Sequence, residues 1–175
     1  MSVLRRKHAW PRRTRGLTRV KGAIVAGVAA VVTLGALGGI AVATPPAGLS
    51  ATPIGAGNLE HAVRVKLKDH GGFGDGVDVT RIQMTRFELA PGGTFGWHQH
   101  GGPVWVVVAQ GTLTLYAGDE GCAATTVSAG GAFLDPGDHT HSAVNLGDQS
   151  VIVYATFLLP SGGAARVDVP DPEVC

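Results

Sequence analysis

Beyond residue 58 the hydrophobic pattern is almost all that of strands, and two stretches show the period of two that marks a half-buried one. His61 to Leu67 alternates, and Val77 to Leu89 does so over a longer stretch. Val104 to Ala109 is a continuous apolar run, which predicts a strand buried on both faces. Further short strands are expected over Thr112 to Tyr116, Thr125 to Val127, Ala132 to Leu134, Ser142 to Leu146 and Val151 to Leu159. Glycines at 92, 93, 111, 130, 131 and 137 fall between these segments, where turns needing positive φ are expected. No segment after Ala43 has a helical period, and no Gly-rich loop leads into a helix as a nucleotide site would require. The pattern predicts an all-β sandwich or barrel.

The first 43 residues follow another logic. Residues 1–22 hold eight basic residues, from Arg5 to Lys21, and no acid. Ala23 to Ala43 is then a 21-residue apolar run. A basic flank before such a run is the mark of a signal peptide, and Ala41-Val42-Ala43 suits cleavage. The run is also long enough to remain as a membrane anchor, with residues 1–22 in the cytoplasm and the rest exported. The pairs Arg5-Arg6 and Arg12-Arg13 resemble a twin-arginine signal, but the apolar residues usual after the pair are missing. Residues 44–57, rich in Pro, Gly, Ala, Ser and Thr, are expected as a linker, leaving one domain over 58–175.

Charge changes with this division. The whole chain is +1, but beyond Ala43 six basic residues face 13 acidic ones, a net of −7. No basic patch survives there, so nucleic acid is not expected as a partner. The two cysteines, Cys122 and Cys175, are expected to form a disulfide in an oxidising compartment, with two free thiols as the alternative.

The candidate chemistry lies in two histidine clusters. His98-Gln99-His100 is followed about forty residues later by His139-Thr140-His141, and these hold four of the six histidines beyond Ala43. Two histidines at i, i+2 on a strand share a face, and a third from a neighbouring strand can complete a metal site. Neutral imidazole suits iron, zinc, manganese, copper or nickel, so the pattern does not select the ion. Trp97 and Trp105 have the opposite parity to the histidines and are expected on the outer face or against a second copy, as a homodimer would use them.

The clusters resemble the two motifs of the cupin superfamily. Gly92, His98, His100 and Gly111 match Gly-x5-His-x-His-x3-Glu-x6-Gly, with Val104 at the Glu position. Gly130, Pro136, His141 and Asn145 match Gly-x5-Pro-x-Gly-x2-His-x3-Asn, with Asp138 at the second Gly. The resemblance covers roughly residues 58 to 160. It implies a small double-sheet β-barrel of the jelly-roll kind, open at one end. It also implies His98, His100 and His141 as metal ligands, with Val104 in the pocket wall where a carboxylate is usual. His139 is left as a further ligand, a general base or a residue of the rim. A set of three neutral histidines leaves a divalent ion its full charge, which favours a small anionic molecule beside it. The activities implied are those of a metal-dependent oxygenase or isomerase. The alternative is a non-catalytic module that binds a small molecule without metal. No catalytic residue is assigned, because no carboxylate, Tyr or Lys can be placed beside the histidines from the sequence.

Overall fold

A computed structural model describes residues 43–68, 75–118 and 121–175. The basic segment and the apolar run over residues 1–42, with the signal and anchor readings placed on them, lie outside the described residues. Ten strands follow in order: β1 (Ala47–Val65), β2 (Val77–Thr94), β3 (His98–Gln99), β4 (Val104–Gln110) and β5 (Thr112–Ala117). Then come β6 (Ala123–Ser128), β7 (Ala132–Asp135), β8 (His141–Val144), β9 (Val151–Pro160) and β10 (Val167–Asp168). Among the described residues no helix is long and apolar enough to cross a membrane.

Two layers enclose the main core, and a smaller cluster gathers around Val77, Val79 and Leu158. One runs β1-β2-β9-β4-β7 and the other β6-β5-β8-β3-β10, with every strand pair antiparallel. The long β2 joins them, because its last residue, Thr94, pairs with Val144 of β8. The inward residues are Val104, Val106 and Val108 of β4, Val151, Val153, Ala155, Phe157 and Leu159 of β9, and Leu89, Phe95, Leu113 and Ala143. Burying a Val, Leu or Phe side chain contributes about 1.5–3 kcal/mol, so this set dominates the barrel's stability. At the turn that carries the chain from β4 to β5 in the other layer, Gly111 has φ +75°, a conformation in which a side chain is strained.

Three expectations are corrected. Residues 44–57 are not an unpaired linker: β1 begins at Ala47 and pairs with β2 from Thr94 to Val77. Proline and glycine are tolerated there because β1 is an edge strand, and its register shifts at Pro53/Gly55 and Asn58/Val63. Second, β4 is buried on one face only, with Trp105 53% and Val107 48% exposed on the other. Third, Trp97 does not reach the outer surface. It is buried, its indole lies near Gly118 on the side facing Pro172, and its carbonyl accepts the Val169 N–H.

The C-terminal tail explains that burial. Val167 and Asp168 pair with Gln99 and His98, and Pro170 bridges to Ala43. The Cys122–Cys175 disulfide then fastens the tail's last residue to the turn between β5 and β6, with Cα atoms 5.3 Å apart. The expected disulfide is therefore present.

Candidate metal centre

Register brings the two histidine clusters together. His98 of β3 is the direct antiparallel partner of His141 of β8, and His100 follows two residues on with the same inward parity. One ring nitrogen from each of His98, His100 and His141 lies within 4.8 Å of those of the other two. The ring centroids are 4.3 Å apart for His98 and His141, 4.8 Å for His98 and His100, and 5.0 Å for His100 and His141.

Each ring is held by a carbonyl. His98 Nδ1 is 2.8 Å from the Gly96 oxygen, His100 Nδ1 is 2.6 Å from the Ala165 oxygen, and His141 Nδ1 is 2.9 Å from the His139 oxygen. A carbonyl only accepts, so all three Nδ1 atoms donate. In neutral rings this leaves the lone pair on Nε2. Outer contacts of this kind fix the tautomer and orientation of metal-binding histidines. Two of the three carbonyls are local, two residues before their histidine, whereas Ala165 belongs to the C-terminal tail.

A carboxylate completes the group. Asp135, the last residue of β7, is 8% exposed. Its Oδ2 lies 2.8 Å from His141 Nε2 and 3.8 Å from His100 Nε2. Its Oδ1 accepts the Gly137 N–H at 2.7 Å. That bond needs the chain to turn sharply after Pro136, and Gly137 takes φ +108° to do so. Sequence reasoning missed Asp135 because the strand was ended at Leu134. Continuing the alternation by one residue from inward Phe133 would have placed Asp135 inward too.

Electrostatics separate the rings. Burial, together with the charges of His141, His100 and Arg166, pushes His98 down to about 2. Burial also lowers His100, to about 4, although Asp135 pulls it up. For His141 burial acts downward, but its hydrogen bond to Asp135 and that carboxylate's charge outweigh it, so its pKa is raised. Burial alone would raise Asp135; the bond to His141 and the charges of both histidines hold it below the usual range.

His139 lies outside the group of three. Its ring is 3.6 Å from the Asp138 carboxylate, and its carbonyl orients His141. Asn145 is fully buried, donating to the Leu89 and Gln149 carbonyls and accepting the Gly147 N–H, so it ties the turn after β8 to β2. The histidines open into a cavity of about 360 Å³ inside the barrel. Its walls are mainly apolar, with Val104, Val106, Phe87, Phe133 and Phe157 among them, and Arg166 is the cationic side chain on its lining. Phe157 packs edge-on against His100, with centroids 5.4 Å apart.

Residues 85–157 match the cupin domain family. The chain is 34% identical over 96 residues to the auxin-binding protein ABP19b of Prunus persica, which covers 53% of this chain and 46% of that protein. It thus spans about half the length of this relative. Among solved structures it is similar to an oxalate oxidase in complex with the substrate analogue glycolate, at 22% identity and a TM-score of 0.47, covering 70% of this chain and 55% of that one. It is also similar to the polyketide cyclase RemF from Streptomyces resistomycificus, at 25% identity and a TM-score of 0.45, covering 65% and 76%. The family match runs from within β2 to within β9 and takes in both histidine motifs, so this part of the chain, whose histidines meet inside the barrel, is similar to a cupin domain.

Proposed function

We propose that this chain is an exported metal-binding cupin whose divalent transition ion is held by His98, His100 and His141. The observation that carries the reading is the set of three Nδ1 atoms spent on backbone carbonyls, which turns the three Nε2 atoms toward one point, where a cation would take the place of the proton His141 shares with Asp135. The low pKa of His98 and His100 supports it, because a ligand ring must be neutral. A bound divalent ion would supply Lewis acidity or a site for O2 activation.

The chain's own residues define what could bind beside it. The apolar walls exclude water and suit a molecule with an apolar body. Arg166 brings a positive charge to the lining, with its guanidinium anchored on the Phe95 carbonyl and Asp168. A small organic anion, its charged end at the ion and Arg166, fits this polarity. Oxygenase or isomerase chemistry on such a molecule is the enzymatic form of the proposal. The second reading is a non-catalytic module that binds such a molecule without metal, and it is favoured by Val104, an apolar residue of the cavity wall where the family's carboxylate ligand is usual. Export is supported by the disulfide, which persists in oxidising compartments. Residues 23–43 would then act as the cleaved signal or retained anchor.

Elemental analysis of the full chain, exported natively and purified without chelator, tests the metal directly. We expect one transition ion per chain, lost in His98→Ala. Only trace metal, not raised by reconstitution with iron, zinc, manganese, copper or nickel, refutes the reading.

A further inference from the structure

Asp135 sits where β7 meets β4, and the antiparallel register pairs it with Val104. The next inward pair is Phe133 with Val106, so the carboxylate enters a wall that is otherwise apolar. An ionised carboxylate in such a place costs several kcal/mol unless its oxygens are matched. One oxygen is matched, since Oδ1 takes the Gly137 N–H. That bond also fixes the direction of Oδ2, toward Nε2 of His141 at 2.8 Å and of His100 at 3.8 Å.

Hydrogen-bond accounting shows what this second oxygen faces. His141 and His100 spend their Nδ1–H groups on the His139 and Ala165 carbonyls. In the neutral rings Nε2 is therefore an acceptor, like the carboxylate oxygen opposite. The 2.8 Å contact with His141 is closed by a proton on Nε2 or by a metal ion, and the 3.8 Å gap to His100 leaves the same oxygen within reach of an ion held by both rings. A proton can serve one histidine at a time, whereas a divalent ion serves all of them together.

We propose that Asp135 is a fourth ligand of the ion held by His98, His100 and His141, a role that rests on the metal-binding reading above. The centre is then three imidazoles and one carboxylate rather than three neutral groups. Its net charge with a divalent ion is reduced by one, and a hard oxygen donor joins the nitrogens. The balancing ligand is accordingly a monoanion, such as a single carboxylate, set on an apolar body.

Cobalt(II) binding to the full chain, stripped and reloaded, tests this. Asp135→Asn keeps an oxygen for the Gly137 N–H and nearly the same shape, but loses the charge. Its Co2+ affinity, measured against a coloured chelator, should fall at least about 10- to 100-fold, and the visible bands of the bound ion should shift. In the unmodified chain, the infrared difference between the Zn2+-loaded and metal-free states should show a displaced carboxylate stretch. Equal affinity and identical bands in Asp135→Asn, or no carboxylate change in the unmodified chain, would overturn the assignment. The infrared measurement needs no variant, so it decides even if Asp135→Asn does not fold. His98→Ala separates the two levels. If the unmodified chain takes up no Co2+, or His98→Ala takes it up equally well, the metal reading itself falls. If His98→Ala loses the ion while Asp135→Asn holds it unaltered, only the role of Asp135 falls.

Discussion

Acid should destabilise the metal-free domain, and the histidine cluster sets the size of the effect. Below pH 6.5 an unfolded histidine takes up a proton, but folded His98 and His100 resist it until about pH 2 and about pH 4. In that window the unfolded state binds more protons, so stability falls as pH falls. Between pH 7.5 and pH 5 each of these two rings removes about 2 kcal/mol. His141 acts in the opposite sense. Its pKa is raised, so the stability it contributes is complete below pH 6.5 and is lost as pH rises through its folded value. It therefore offsets part of the loss. Asp135, lowered from 3.8, contributes above that value and loses its contribution only as pH falls further, outside this window. Urea denaturation of the chelator-treated chain at pH 7.5, 6 and 5 measures the sum. We expect the midpoint to drop steadily, and to drop about half as far in His98→Leu, which removes one of the two neutral rings. A midpoint that is flat or rises toward pH 5 would show that the rings are not held neutral by burial.

Three further variants test the packing. Replacing Cys122 and Cys175 together by serine opens a link spanning 53 residues and should cost roughly 4 kcal/mol in urea unfolding; an unchanged midpoint would contradict the anchored tail. The same change should weaken metal binding, because the tail supplies the Ala165 carbonyl that orients His100. Phe157→Ala removes a buried ring that touches both His100 and Phe87 and should cost about 3–5 kcal/mol, read by thermal or urea denaturation. Asn145→Ala leaves the buried Leu89 carbonyl without its donor and should cost about 1–3 kcal/mol, with faster amide exchange at Gly147. Stability equal to that of the unmodified chain in either variant would count against the packing described.

Much of the barrel was legible along the chain. Period-two alternation located β2, and short apolar segments between turn residues located β4, β5, β8 and β9. The same parity put His98, His100 and Val104 on one side, as they are found. The end of the edge strand β1 was legible from the alternation that starts at His61, but its first part was not, since residues 47–57 are mostly exposed and their composition matches that of a linker. Nor was the setting of Trp97, whose cover comes from a tail more than seventy residues away.

What the sequence determined by itself was the strand pattern, the two cysteines and three histidines spaced to meet. Local periodicity encodes which face a side chain takes, and that suffices for each strand taken singly. Only the tertiary structure decided which strands lie side by side. Pairing of β4 with β7 placed Asp135 opposite Val104, and the path of the tail placed Ala165 behind His100. Both depend on contacts between residues distant along the chain, which no local period can carry. The charge and orientation of the centre therefore come from the fold, and its nitrogen donors from the sequence.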